Sequence, residues 1–420
     1  MRRLRTQVVI VGAGPSGLLL SHLLALRSVD SIVLERRSRE YVEQRVRAGL
    51  LEQGTVDLLR AAGLAERLDR EGLVHEGFEL RFDGDSHRVG FTELTGWTTC
   101  MYGQQEVVKD LIRARERSGG QLYFGVDDVT PHDVETDAPR VRCTLMGEPV
   151  ELIADFVAGC DGYHGVCRHS VPAGTFTAYE HAYPFAWLGI LASAAPSSEE
   201  LIYAVHARGF ALQSMRSPAI SRLYLQVGPE EQLAAWPDER IWGELRARFA
   251  LSGREPLNEG PILSRGITAM RSFVLEPMRH GRLVLVGDAA HIVPPSAAKG
   301  LNLAVADVKV LAAALSAWYA DGSRDLLDGY SRACLRAVWQ GQEFSAFMTS
   351  LLHPFPGETE YEARLRRARL RDLVTSRAAA TAFSESYVGL ARARLAGAVG
   401  GRGEDPAKGL AEAPRRAGQR

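Results

Sequence analysis

Apolar positions along the chain follow two periods, and the switches between them divide it. Gln7-Val8-Val9-Ile10-Val11 is a continuous apolar run ending at a glycine, the pattern of a strand buried on both faces. Leu18 to Leu26 has helical spacing, and Ser31-Ile32-Val33-Leu34-Glu35 reads as a second strand, so the chain opens with a βαβ unit. A helix near Gly54 to Leu64, stopped at Gly63, and another over Glu106 to Arg117 follow. The middle alternates instead. Glu79 to Phe82, Val141 to Leu145, Leu201 to Val205, Ala211 to Ser214 and Leu223 to Val227 read as half-exposed strands. Arg282 to Gly287 returns to a buried, parallel-type strand. From Leu301 to about Ala396 the spacing is helical, with breaks at Pro354 and Pro356. There is no internal repeat.

These patterns predict an α/β protein in which a Rossmann-like βαβ nucleotide domain is interleaved with a mostly antiparallel β-sheet domain, followed by a C-terminal helical region. The nucleotide domain is expected to take residues 1–74, 101–174 and 276–345, and the sheet domain 75–100 and 175–275. Residues 346–396 form the helical region, and the Gly-, Ala-, Arg- and Pro-rich stretch 397–420 is expected to be a disordered tail.

With 420 residues, 46% of them hydrophobic, the chain can bury a large core without disulfides or a structural metal. Lys+Arg 50 against Asp+Glu 51 lacks the basic excess of a nucleic-acid binder. Five cysteines (Cys100, Cys143, Cys160, Cys167 and Cys334) without a CxxC argue against a disulfide scaffold or a zinc finger, and fit a reducing cytoplasm. Arg2, Arg3 and Arg5 before an apolar stretch resemble a secretory signal. The glycines from Gly12 to Gly17 break that stretch, however, and no small-residue cleavage site ends it. No run approaches the ~18 uninterrupted apolar residues of a membrane span. The expectation is a cytoplasmic protein with no metal, nucleic-acid or membrane partner.

Gly12, Gly14 and Gly17 form a GxGxxG directly after a strand, with Ser16 inside it, and open a helix. The first glycine permits the tight turn, the second lets backbone approach a pyrophosphate, and the third lets helix and strand pack closely. The helix N-terminus turns unpaired N–H groups toward the phosphates. Glu35, at the end of the second strand, can accept from ribose hydroxyls. A dinucleotide, NAD(P) or FAD, is implied. Two later segments separate these: Ala158-Gly159-Cys160-Asp161-Gly162 and Leu285-Val286-Gly287-Asp288-Ala289-Ala290-His291, each following a strand-like run.

With these three motifs in order, the sequence resembles the flavoprotein monooxygenases of the aromatic hydroxylase type. The likeness continues through Arg45 to Gly54, Gly72 to Gly77, Glu200 to Ala204, Ala289 to Pro295, Lys299 to Leu303 and Tyr387 to Leu390, so it runs from about Gln7 to Leu390. It is closest to the branch acting on 4-hydroxybenzoate. The resemblance implies hydroxylation ortho to the phenol to give 3,4-dihydroxybenzoate, with NADPH and O2 consumed by way of a flavin C4a-hydroperoxide, in a homodimer.

The resemblance also implies roles for single residues. Arg222 would pair with the substrate carboxylate, with Ser214, Tyr224 and Arg216 beside it. Tyr203 would bond the substrate phenol, and Tyr387 and His75 would carry its proton outward. The backbone carbonyl of Pro295 would face the phenol. Gly12, Gly14, Ser16, Gly17, Glu35, Arg45, Arg47, Gln104, Asp288, Leu301 and Asn302 match FAD positions. Arg36, Arg37, Tyr41, Arg45, His164, Arg168 and Arg271 match positions tied to NADPH. The Arg36–Arg37 pair suits a 2′-phosphate, although the family often has glutamine at the second position, which leaves NADH open.

The chain departs from the family where Pro295 is followed by Ser296-Ala297-Ala298 instead of Thr-Gly-Ala, and where Ser386 replaces an asparagine. Ala297 is expected to add a methyl group beside the flavin and to resist a positive φ. Two other readings remain: the same chemistry on an amino- or hydroxy-substituted benzoate or other phenolic acid, and a non-catalytic FAD-binding protein.

Overall fold

The computed structural model describes residues 1–47, 49–253 and 257–390. The tail expected over 397–420, and the end of the last helical stretch, lie outside the described residues.

The opening βαβ unit forms as its pattern requires. Strands Val8–Val11 and Ser31–Leu34 pair in parallel around helix Pro15–Ala25, and every residue of both strands is buried. They lie inside a six-stranded sheet with Phe156–Gly159 and Leu283–Leu285 on one side and Gln121–Tyr123 on the other. Only the edge strand Arg279–His280 runs antiparallel. The glycine-ended strands Val8–Val11 and Phe156–Gly159 and the Gly287 turn after Leu283–Leu285 therefore come together at the carboxyl ends of adjacent strands. Ligands of open parallel sheets bind at that edge.

The alternating middle builds an eight-stranded sheet. Its order is His291–Ile292, Ile262–Glu276, Thr177–Ala192, Ile220–Val227, Gly209–Ser217, Leu201–His206, Phe78–Phe82 and Asp85–Val89. All pairings are antiparallel except that of Leu201–His206 with Phe78–Phe82. Val141 to Leu145 falls elsewhere, in a four-stranded sheet whose edge is the strand Arg2–Arg5. That edge strand is charged and mostly exposed, so it carries no apolar signal. The small sheet of Leu50–Glu52, Thr99–Met101 and Leu73–His75 joins the two large layers.

The C-terminal pattern resolves into helices Gly300–Asp321, Asp325–Leu352, Glu360–Thr375 and Arg377–Tyr387, with Pro354 and Pro356 in the turn after the second. Gly300–Asp321 is long and apolar enough to cross a bilayer. It packs against Pro15–Ala25 and Asp325–Leu352 and carries buried Asn302 and Asp307, as a core helix does. All five cysteines are unpaired and buried.

The first two of these C-terminal helices meet at a glycine. A Cβ on Gly341 would stand 2.7 Å from the Leu303 side chain. Gly341→Ala should therefore cost about 1–3 kcal/mol through overpacking, read as a lower midpoint in urea unfolding with the m-value unchanged.

Candidate active site

The site forms where the glycine loop, the strand ends and the face of the antiparallel sheet converge. Gly12 has φ +104°, and a Cβ there would lie 2.4 Å from the Cys160 carbonyl oxygen. A Cβ on Gly17 would lie 2.0 Å from the Gly12 carbonyl oxygen. At Gly14, by contrast, a Cβ meets nothing within 4 Å. Two glycines are thus forced by protein contacts, and the middle one borders open space at the start of helix Pro15–Ala25. That is the cradle a pyrophosphate fits. Ser16 stands beside Gly287, where a Cβ would lie 3.0 Å from its hydroxyl. Glu35 accepts from the Ala13 N–H at 2.8 Å and the Arg37 N–H at 2.7 Å, which locks the loop to the second strand. A carboxylate has further lone pairs for a ribose.

Asp288 lies in the turn Gly287–Ala289. Its side chain is open to solvent, yet protein surrounds it closely enough to raise its pKa by desolvation, against the pull of His291, Arg47 and Arg45. A solvated carboxylate inside such a recess fits the ribityl chain of a flavin. Arg47 lies within charge range of Asp288 and Tyr224, so it links the nucleotide and substrate regions. Leu301 and Asn302 start helix Gly300–Asp321. The Asn302 amide is fully committed: it accepts from the Glu52 N–H and the Thr55 hydroxyl and donates to the Leu50 and Ala298 carbonyls. What Asn302 can offer a flavin is its backbone N–H in the first helical turn. Gln104 opens helix Gln104–Arg117.

The substrate candidates share one sheet face. Tyr203 pairs with Leu212 and Leu212 with Tyr224, while Ser214 pairs with Arg222, so the register brings these side chains to the same side. Arg216 donates to the Ser214 hydroxyl at 3.2 Å and to the Met215 carbonyl at 2.9 Å, and its Nε is buried without a partner. Burial lowers its pKa, as does Arg222 nearby, while Tyr224 opposes. The Arg222 guanidinium lies 5.1 Å from the Tyr224 ring centre and over Gly189, where a Cβ would stand 2.7 Å from it. Among the described residues neither arginine has a carboxylate partner. Two neighbouring cations with no carboxylate between them are complementary to an anion.

Tyr203 and Tyr387 are fully buried, with hydroxyls 3.1 Å apart. Burial pushes Tyr203 up to about 12 and Tyr387 well above the usual phenol range, so both are neutral phenols at physiological pH. His75 is not joined to them. It is buried, neither ring nitrogen has a hydrogen-bond partner, and desolvation pushes its pKa down to about 4 despite Glu200. Two orphan nitrogens in a buried site call for an internal water, and a bridge of water is what the Tyr387-to-His75 step would require.

Pro295 begins the turn Pro295–Ala297, and its carbonyl accepts from the Ala298 N–H at 3.0 Å. Ala297 keeps clear of positive φ, as expected of an alanine, and the turn falls on the next residue. Ala298 takes the left-handed conformation, φ 51° and ψ 33°, while Ala297 is buried against the substrate-side core. Ser296 keeps its hydroxyl on Thr349 at 2.9 Å. Ser386 sits one residue before Tyr387, and its carbonyl accepts from the Gly389 N–H.

The residues expected to meet NADPH form two groups. Arg37 and Arg45 lie 5.0 and 5.9 Å from the exposed Tyr41 ring, with Arg36 exposed beside them. Arg168 and Arg271 lie 4.3 and 5.0 Å from the Tyr163 ring, and His164 packs edge-on against that ring. His164 and Arg168 line a surface recess of about 490 Å³. No contact among the described residues joins the groups.

Two residues at the site carry no motif of their own. Lys299 is wholly buried and donates to Glu52 at 2.7 Å and to the Tyr387 carbonyl. Trp187, 4.9 Å from the Tyr224 ring, donates to His353 at 2.8 Å. The first lies in the segment Lys299 to Leu303 that carries the family likeness, but its partners are not legible there; for the second there was no signal.

The chain belongs to the FAD binding domain family, whose pattern it matches over residues 5–345. It binds FAD. It is 46% identical over 391 residues to the p-hydroxybenzoate hydroxylase of Acinetobacter baylyi, covering 93% of this chain and 96% of that one. It is 27% identical to a 3-(3-hydroxy-phenyl)propionate/3-hydroxycinnamic acid hydroxylase of Burkholderia cenocepacia, covering 74% of this chain and 57% of that one. The crystal structure of p-nitrophenol 4-monooxygenase from Pseudomonas putida shares the fold, with a TM-score of 0.79 at 18% identity over 93% of this chain and 98% of that one.

Two outcomes are expected. Gly17→Ala should weaken FAD binding and lower stability by about 1–3 kcal/mol, read by flavin release on heating. The unfolded chain protonates His75 near pH 6.5, whereas the folded chain resists until about pH 4. Stability should therefore fall as pH drops through that window, by up to about 3 kcal/mol from this residue. His75→Asn should flatten the fall in denaturant midpoints measured from pH 7 to 4.

Proposed function

We propose that this protein hydroxylates 4-hydroxybenzoate at the carbon beside the phenol, giving 3,4-dihydroxybenzoate, with NADPH and O2 as co-substrates. The observation that carries the reading is the pair Arg216 and Arg222, unneutralised by any carboxylate among the described residues, on the same sheet face as the buried phenol of Tyr203. The likeness to the Acinetobacter baylyi enzyme supports the same substrate.

Arg222 grips the carboxylate, aided by Arg216, the Ser214 hydroxyl and Tyr224, and so fixes which ring edge faces the flavin. Tyr203 bonds the substrate phenol. Being neutral itself, it accepts that proton only as it passes its own to Tyr387, 3.1 Å away. His75, also neutral near pH 7, is the acceptor beyond, and the ring left behind is an electron-rich phenolate. The Pro295 carbonyl has a second lone pair to orient the phenol. FAD, when bound, supplies hydride acceptance and oxygen activation, and closure of the slot keeps water out.

His164, Arg168 and Arg271, with Arg36, Arg37, Tyr41 and Arg45, are the cationic and aromatic groups that NADPH would meet. The domain division given by the sequence, a homodimer and a cytoplasmic location belong to the same reading. So does turnover of other hydroxy- or aminobenzoates as a second possibility for the slot.

Product analysis after incubation with NADPH, O2 and a panel of benzoates tests the proposal: 3,4-dihydroxybenzoate from 4-hydroxybenzoate is expected, and its absence would overturn it. Arg222→Gln should raise the Kd for 4-hydroxybenzoate about 10–100-fold, the loss of a charged hydrogen-bonded pair, measured by flavin absorbance titration. Tyr203→Phe should still bind the acid but oxidise NADPH with little hydroxylated product.

A further inference from the structure

One carboxylate buried behind the flavin recess joins elements far apart in the chain. Asp307 stands two turns into helix Gly300–Asp321 and is 1% exposed. Its Oδ2 accepts from the Gly287 N–H at 3.0 Å and from His291 Nε2 at 2.6 Å. Gly287 has φ +61°, so the backbone turns sharply there, and the next residue is Asp288. His291 begins the short strand His291–Ile292, which continues into the Pro295 turn. The opposite ring nitrogen, Nδ1, is buried without a partner, so the Asp307 contact alone fixes the His291 ring by hydrogen bonding. Asp307 itself rides on the helix whose first turn carries Leu301 and Asn302.

We infer that Asp307 and His291 form a positioning clamp for FAD, holding the Gly287–Asp288 turn, the Pro295 turn and the N-terminus of helix Gly300–Asp321 in mutual register. The inference rests on FAD binding by this chain and on no assumption about the aromatic substrate. Neither residue touches the cofactor in this account; each acts by fixing Asp288 and the helix terminus. A carboxylate accepting two hydrogen bonds with charge assistance is stiffer than the backbone turn alone, because the partner groups are buried and have no water to replace it. Burial works against a charge on His291, but Asp307, and more weakly Asp288, raise its pKa above the ordinary value.

The test follows flavin release from purified holoenzyme after dilution, read by recovery of FAD fluorescence, together with the melting temperature of each variant. His291→Leu and Asp307→Asn should each speed release and raise the FAD Kd at least about tenfold, the scale of one charged hydrogen bond. His291→Gln keeps an N–H near the position of Nε2 and should remain within about threefold of the unaltered protein. Glu151→Gln neutralises a comparably buried carboxylate in the outer four-stranded sheet and should leave FAD release unchanged even where it lowers the melting temperature. If Asp307→Asn does not fold, the His291→Leu and His291→Gln pair decides alone. The clamp is overturned if His291→Leu folds and holds FAD as tightly as the unaltered protein. It is equally overturned if His291→Gln fails as badly as His291→Leu, since a merely space-filling role would give that result.

Discussion

The Lys299 ammonium has no exposure to solvent, and its position determines how three parts of the chain meet. Its charge is matched by Glu52 from the small joining sheet, and it also donates to the Tyr387 carbonyl in the last described helix. Rings of Phe344 and Tyr387 lie 5.2 and 5.5 Å away and favour a cation between them. Taking two charges out of water is costly, and a partner lost from such a pair costs about 3–5 kcal/mol. The residue directly after Lys299 opens the helix whose first turn faces the flavin recess. The same ion pair therefore sets the place of the nucleotide-facing helix and of the tyrosine hydrogen-bonded to Tyr203.

Burial also defines what the two tyrosines can do. With its pKa pushed up to about 12, Tyr203 does not become a phenolate base at neutral pH. Any proton it took it would have to match by giving up its own, so passage of a proton through it would need an unbroken line of hydrogen bonds. The line is present between Tyr203 and Tyr387 and is interrupted before His75. The cations Arg216 and Arg222 and the buried neutral phenols of Tyr203 and Tyr387 thus lie along one sheet face.

Much of this was legible in the sequence where local pattern and chemistry coincide. The strand, glycines and helix from Gln7 onward announce a dinucleotide site because the glycines stand at fixed offsets between strand and helix, although the Cys160 carbonyl that forces Gly12 is distant in sequence. The alternating strands place Ser214, Arg216, Arg222 and Tyr224 on a common face because sheet side chains repeat every second residue. Their role, and the partnership of Tyr203 with Tyr387 across the chain, came only from resemblance, since no local signal links residues so far apart. The same blindness hides Lys299 with Glu52 and Trp187 with His353, whose meaning exists only after folding. The edge strand Arg2–Arg5 was missed because it is held by backbone pairing to Glu148–Ile153 and has no apolar face. The left-handed turn at Ala298 was not legible, because a substitution pattern does not reveal which backbone unit turns.

The burial of all five thiols bears on survival beside an oxygen-activating cofactor. Burial pushes Cys100 and Cys143 up to about 11 and raises Cys160, Cys167 and Cys334 well above the usual thiol range. Sulfur reacts with hydrogen peroxide as thiolate, so these residues are chemically quiet at neutral pH. Hydrogen peroxide formed beside a bound flavin would therefore find few thiolates to oxidise.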